Sequence, residues 1–503
     1  MHRVQQLSAL SAARPWQALL AYTVVASAGY WLASHAPYME PIVIRRGPVE
    51  AAIAVAPWAV FPYASYALLL PVFILSARKL ASFERVFVSA LACGLLNIAG
   101  YLIVPTVLEV RPEAPANTLL ATLQRLDPPF CALPSGHVAL PVAIAIGAAL
   151  AATTERAQRE ARRWRGLAMG FSTWALLLAA SAVLTGQHYV VDVITGFALG
   201  ALVASFGAAL RRSQTIGRAR QRLHRPTIRA FIVEWCAIGI TLMIAIRWWS
   251  IAIAVVAGLI IATRQHALLV LYHDGVHGHV ARSRRLNDFI VNLAAGLPML
   301  LPVHVYRPLH FSHHRHLGSE ADPERVLLYR GQPWAYRPLA LTALARQLTG
   351  DLAGWRALVL AGRYLRERRG PALQLPRYSH YPELYVQAAV IIACAAAFAL
   401  IAPGAALRAT ILWCIPYITL TQLLQKIRSF AEHATADAEP TLSCSWAPGV
   451  IGRLTIWPYN INYHREHHDH PDVPWSRLPE SFPNAHQRLG RELRSHVWNG
   501  ALR

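Results

Sequence analysis

The sequence predicts an all-α integral membrane protein in two helical parts, six spans followed by four, with a histidine-rich cap on the cytoplasmic side. Three observations predict it. The 503 residues are 55% hydrophobic and only 15% charged, a membrane-protein balance. Apolar runs close to the ~20 residues that a helix needs to cross hydrocarbon recur along the chain. A polar, arginine-rich connector at 211–229 follows the sixth run and is read as the boundary between parts 1–210 and 230–503.

The six runs of the first part lie near 17–34, 56–76, 86–105, 133–152, 167–184 and 189–209. The first lacks a small-residue cleavage site and is read as a retained span. Arg78, Lys79 and Arg85 follow the second run, and Arg156, Arg159, Arg162, Arg163 and Arg165 follow the fourth. Arg211, Arg212, Arg218, Arg220, Arg222, Arg225 and Arg229 follow the sixth. The alternate connectors hold only Arg45 and Arg46, then Arg111 and Arg125, then none. This bias places the N-terminus and the even-numbered connectors in the cytoplasm. Beyond the boundary, 230–271 is long enough for two spans broken near Arg247, and 384–402 and 407–425 supply two more. The mixed stretch Tyr272 to Tyr381 between these pairs is read as lying on the cytoplasmic membrane face, and the tail from Arg428 returns there. The whole is expected to be a multi-pass protein, with a bacterial inner membrane as its setting.

Lys+Arg number 48 against Asp+Glu 26, a formal net charge of +22. No basic helix–turn or aromatic–basic sheet pattern accompanies the charge, so no nucleic-acid partner is expected and an anionic lipid surface fits better. The six cysteines, Cys93, Cys131, Cys236, Cys394, Cys414 and Cys444, form no CxxC pair and indicate neither a disulfide framework nor a zinc ribbon.

Three short motifs sit on the face opposite the arginine-rich connectors. VPTVLEVRPEAP holds Arg111 before a proline, ALPSGHVALP holds Ser135, Gly136 and His137, and SAVLTGQHYVVDVITG holds His188 and Asp192 one helical turn apart. Free backbone N–H groups at a helix start make PSGH a cradle for phosphate. A carboxylate four residues from a histidine holds the ring in one tautomer. Two histidines can then divide the labour, one attacking phosphorus and one protonating the leaving oxygen. Over roughly residues 15–210 these motifs resemble the type 2 phosphatidic acid phosphatase superfamily, with a linker style similar to its inositol-phosphorylceramide-synthase-like branch. The resemblance implies a phosphohistidine mechanism on a lipid phosphate. His188 would be the nucleophile, Asp192 its orienting partner and His137 the general acid, with Arg111, Ser135 and Gly136 on phosphate oxygens. The chain departs from the pattern twice. No lysine precedes the Arg-Pro at the family's position, and Ala182 follows Ser181 where the family has arginine.

The second part carries three histidine clusters. LYHDGVHGH places His273 and His277 at i, i+4. LHFSHHRHLG places His310, His313 and His314 at i, i+3, i+4, and NINYHREHHDHPDVP repeats that spacing with His464, His467 and His468. On helices, each set shares one face. Eight imidazoles on one membrane side fit two metal ions with about four ligands each better than one. A redox-active pair such as di-iron can activate oxygen, which zinc cannot. Across roughly residues 228–480 the boxes HDGVH, HFSHH and HREHH resemble the membrane fatty acid desaturase and hydroxylase superfamily. FAEHA at 430–434 is similar to its extra-ligand segment, which makes His433 a ninth ligand. Asp322-Pro323-Glu324 after the second box and VPWSRLP after the third fit as well. The words NYHREHHDHPDVP and HHRHLG are similar to the sphingolipid desaturase branch.

The resemblance implies two iron ions, molecular oxygen as co-substrate and oxidation of an unactivated C–H bond of a lipid, most often desaturation. No HPGG-type haem motif is present, so electrons are expected from an external ferredoxin-like or cytochrome donor. Hydroxylation or ketone formation on a sterol, carotenoid or sphingoid chain is the alternative chemistry, with a non-catalytic first half as membrane scaffold. His266, His279, His304, His316 and His470 are read as neighbours that orient the ligands.

Overall fold

A computed structural model describes residues 14–35, 37, 40–127, 130–155, 157–211, 223–317, 319, 321–324, 341–355, 357–359, 361–362, 382–434 and 443–483. Most of the arginine-rich connector, residues 212–222, lies outside them. The protein is an all-α membrane protein. Among the described residues, eight helices are long and apolar enough to cross a membrane, and the helix Gly136–Ala152 is a shorter apolar one. The first expected span forms a helix, Pro15–His35, but is not among those eight. The only strands among the described residues are Ile42–Ile44 and Thr106–Leu108, paired in parallel.

The chain divides into two compact units. One comprises Met1–Arg218 with Ser379–Ala406, the other Ala219–Tyr378 with Leu407–Arg503. The first unit packs a core of Phe73, Phe83, Phe87, Trp164 and Phe171. The helices Gly136–Ala152 and Val190–Arg211 approach closely because glycines line their contact. A Cβ added at Gly196 would lie 2.5 Å from the Ser135 carbonyl oxygen, and one at Gly200 would lie 2.3 Å from that of Ala139. This is the small-xxx-small packing of membrane helices, in which backbone approach replaces a hydrophobic driving force.

The helix Pro382–Ile401 also belongs to this first unit. Its Val390 joins Val138, Val142, Ala198 and Ala201, and its Ala397 joins Ile44, Leu108, Tyr189 and Val191. The sequence reading counts this apolar run with the C-terminal half. In the structure the run packs on the helix Val190–Arg211 of the first unit.

The second unit is built around Phe231, Leu268, Tyr272, Val276, Val291 and Val303. Trp235 and Trp413 stack with ring centroids 5.5 Å apart at the edge of that core.

Candidate metal centre and histidine-pair site

Each histidine box is delivered by a distinct local device. The 27-residue helix Ile251–His277 starts on Ser250, whose hydroxyl accepts from the Ile253 N–H, and ends at Gly278. Gly278 has φ of 96°, a left-handed conformation that side-chain-bearing residues avoid. His273 and His277 occupy the last turns, and the chain folds back so that His279 Nδ1 meets Asp274 Oδ1 at 2.8 Å. The glycine inside HDGVH is a packing residue, since a Cβ at Gly275 would lie 2.4 Å from Val291. Box two ends the helix Val303–His316, and box three is the short helix His464–Asp469. A π-helical turn over Phe430–Ala434 presents His433, a distortion frequent at functional sites.

These elements bring all nine expected ligands together. The donor atoms of His273, His277, His310, His314 and His467 lie within 4.8 Å of one another. His313, His433 and His468 form a second such group, and His464 joins His433 in a third together with Glu432.

The donor set fits metal. His310 Nδ1–H donates to Glu324 Oε1 at 3.1 Å, so its Nε2 carries a lone pair, and that atom meets the Nε2 of His277 and of His314 at 3.0 Å each. His464 Nε2 likewise lies 2.9 Å from His433 Nε2 and 3.1 Å from His468 Nε2. Lone pairs converging at such distances repel unless a cation sits among them. Nε2 of His273 and Nε2 of His467 are buried without a hydrogen-bond partner, a situation costing about 1–3 kcal/mol each. Coordination would relieve it.

Carboxylates behind the ligands fix their tautomers. His313 Nδ1 contacts both oxygens of Asp322 at 2.9 and 3.0 Å, which leaves its Nε2 as donor. Glu324 Oε2 stands 3.9 Å from that Nε2. Glu432 pairs with Arg428 at 3.2 Å and lies 3.5 Å from His464 Nδ1. Burial, then neighbouring imidazoles, hold His464, His467 and His468 well below the usual histidine range and bring His314 down to about 3. They are therefore neutral donors at pH 7. His313 moves the other way. Burial pulls it down, but Glu324 and Asp322 outweigh burial and raise it.

The sequence places Asp322 and Glu324 after the second box without giving them a role, and it does not single out Glu432. Their signal is weak, because the carboxylates sit at irregular distances from the boxes they serve. Of the neighbouring histidines, His279 pairs with Asp274, and His304 lies 3.6 Å from Asp288, which binds Arg307. His266 donates to the Ile456 carbonyl at 2.9 Å, and His470 stacks on Phe482.

In the other unit the structure gathers the six phosphate-motif residues. Gly186, with φ of 68°, makes the turn that leads into His188. His188 Nδ1 lies 3.1 Å from the Ala132 carbonyl oxygen and 3.5 Å from Asp192 Oδ2. Asp192 Oδ2 also accepts the Tyr189 N–H at 2.8 Å, and the Asp192 carbonyl accepts the Ser135 N–H at 2.9 Å. The His137 ring centroid stands 5.7 Å from that of His188 and is flanked by Tyr63 and Tyr66 at 4.1 and 4.5 Å. Gly136 N–H donates to Tyr101. Arg111 is half-buried and donates to the carbonyls of Gln124 and Asp127 and to Gln187 Oε1. Ala182, where the motif has arginine, is fully buried.

Two family models match the chain. Residues 246–499 match the fatty acid desaturase family and residues 85–216 match the PAP2 superfamily. The chain is 40% identical over 68 residues to a zeaxanthin 4-ketolase of Chlamydomonas reinhardtii, covering 13% of this chain and 15% of that protein. It is 22% identical over 271 residues to a dihydrorhizobitoxine desaturase of Bradyrhizobium elkanii, covering 51% and 74%. It is 27% identical over 221 residues to a beta-carotene ketolase of Paracoccus sp., covering 42% and 73%. No solved structure matches. The chain thus belongs to the fatty acid desaturase family and carries a PAP2 superfamily domain ahead of its desaturase domain.

Proposed function

We propose that the protein is a membrane lipid-modifying enzyme whose C-terminal unit oxidises a C–H bond with molecular oxygen. The observation that carries this reading is the convergence of nine imidazoles in adjoining groups. His273, His277, His310, His314 and His467 would hold one iron ion, and His313, His433, His464 and His468 a second. Held by these imidazoles, iron would supply the oxygen chemistry needed at an unactivated C–H bond, with electrons from an external ferredoxin-like or cytochrome donor. Asp322 and Glu324 keep the Nδ1 protons of His313 and His310 in place, so their Nε2 lone pairs stay aimed inward. Burial keeps the box-three imidazoles uncharged and ready to donate.

Desaturation of an acyl or sphingoid chain is the leading chemistry. A second reading, ketone or hydroxyl formation on a carotenoid or related lipid, draws on the similarity to the two ketolases.

The N-terminal unit would act on a lipid phosphoester. His188 is held through Nδ1 by the Ala132 carbonyl, so Nε2 is the atom free to attack phosphorus, and His137 would protonate the leaving oxygen. The domain division proposed is 1–210, a linker 211–229 and 230–503.

The lipid mass spectrum of a host that makes both acyl lipids and carotenoids, expressing the intact chain, tests the reading. Species lighter by H2 that vanish with His468→Ala establish desaturation, and species with added oxygen establish the second chemistry. An unchanged spectrum sinks both. Phosphate release that is lost in His188→Ala supports the first site, whereas release equal to wild type makes that unit a scaffold.

The arginine distribution further supports a cytoplasmic oxidation site with the phosphoester site on the other membrane face. Cysteines introduced at Arg125 and Arg315 should be labelled from opposite sides, and labelling from the same side rejects this arrangement.

A further inference from the structure

Tyr306 stands one helical turn ahead of His310, and their rings stack with centroids 5.3 Å apart and planes 18° from parallel. Its hydroxyl donates to Glu324 Oε1 at 2.8 Å. The same carboxylate oxygen accepts the His310 Nδ1–H at 3.1 Å. Tyr272, almost fully buried, lies beside Tyr306 with ring centroids 5.8 Å apart. A phenol thus touches a ligand of the five-histidine group and is already hydrogen-bonded to a base.

That combination is what phenol oxidation requires. Losing an electron alone would leave a buried cation, and isolated buried charge is costly. Losing the proton to a carboxylate in the same event leaves a neutral radical. An oxygen-activated centre that finds no C–H bond in place must take electrons from somewhere, and the histidines themselves are the nearest alternative.

We propose that Tyr306 is a redox-active residue that discharges the metal centre when no lipid is positioned. One electron passes from the Tyr306 ring through His310 to the oxidised centre, which is reduced by one equivalent. The phenolic O–H bond breaks and its proton goes to Glu324 Oε1, leaving a neutral phenoxyl radical. An electron from the external donor and the proton held on Glu324 then restore the phenol. The inference rests on the iron and oxygen reading of this site.

The test uses the full chain in detergent, loaded with ferrous iron, reduced, and mixed with dioxygen in the absence of lipid. Freeze-quench EPR reads the radical, and elemental analysis reads iron per chain. The expected result is an organic radical whose hyperfine structure narrows with ring-deuterated tyrosine. It is lost in Tyr306→Phe at unchanged iron content. Peptide mass spectrometry should also show oxidised ligand histidines accumulating faster in Tyr306→Phe than in wild type, which a merely structural tyrosine would not produce. A wild-type protein with full iron and no radical overturns the proposal, as does an unchanged radical in Tyr306→Phe. A chain that binds no iron overturns both this proposal and the reading beneath it.

Discussion

Glu324 accepts hydrogen bonds from His310 and Tyr306 through one oxygen, and this shows how the centre is tuned at the scale of single residues. The box-three imidazoles and His314 are kept neutral, while burial raises the Glu324 carboxyl but is outweighed by His313 and by the hydrogen bond from His310, which hold it charged and well below its usual range. A pH dependence follows. For His314, His464, His467 and His468 the folded value lies below the ordinary 6.5, so the unfolded chain binds protons that the folded one refuses. Their contribution to stability is present above pH ~6.5 and is lost as the pH falls toward the folded values. His313 has the opposite sign. Its raised value adds stability below pH ~6.5 that fades as the pH rises through it. Four against one, the depressed group decides. The Tm of metal-free protein should therefore drop as the pH is lowered below about 6.5. A Tm that is flat or rises on acidification would show that these imidazoles titrate as if exposed.

At the scale of elements, the glycine-lined contact between Gly136–Ala152 and Val190–Arg211 holds the first site together, because one helix carries His137 and the other Asp192. A side chain at Gly200 would press on the Ala139 carbonyl oxygen. Overpacking of a tight contact costs ~1–3 kcal/mol, and more where the neighbour is backbone. Gly200→Leu should therefore abolish phosphoester chemistry and lower the Tm of the first unit, while the iron content of the second is retained. Loss of iron in that variant, or retained phosphate release, would contradict the local role. The histidine boxes were legible in the sequence because i, i+3, i+4 spacing is a property of the helix itself, and PSGH and HYVVD were legible for the same reason. What stayed hidden depends on the chain meeting itself at a distance. Asp322 finds His313 across a loop, the π turn sets His433, and the strands Ile42–Ile44 and Thr106–Leu108 are too short to leave an alternating pattern.

At the scale of the whole molecule, the most consequential feature is the path of the chain. It builds the first unit through Arg218, leaves it, and supplies it again from Ser379 to Ala406. No apolar run announces which neighbour it will choose. In lipid, any face of small and branched residues suits any other, and the partner is decided by close packing. Here Val390 and Ala397 are buried to within a few per cent on the helices Gly136–Ala152 and Val190–Arg211 and the strand residues Ile44 and Leu108, and Gln387 is buried on the same helix. The compact units therefore do not coincide with contiguous stretches of chain, since the first takes a packed helix from beyond the linker. Cutting the chain within 212–222, or expressing the two pieces from separate genes, should leave fragments that co-purify in mild detergent through the helix Pro382–Ile401. The N-terminal piece alone should melt at lower temperature and show faster amide exchange along Val190–Arg211, and adding the C-terminal piece in trans should reverse both. Replacing Val390 and Ala397 together with bulky leucine and phenylalanine should weaken the association by disturbing packing at two buried positions. Fragments that separate cleanly, with an N-terminal piece as stable alone as in the intact chain, would show that this helix is dispensable to the first unit and that the two domains are joined only by covalent linkage.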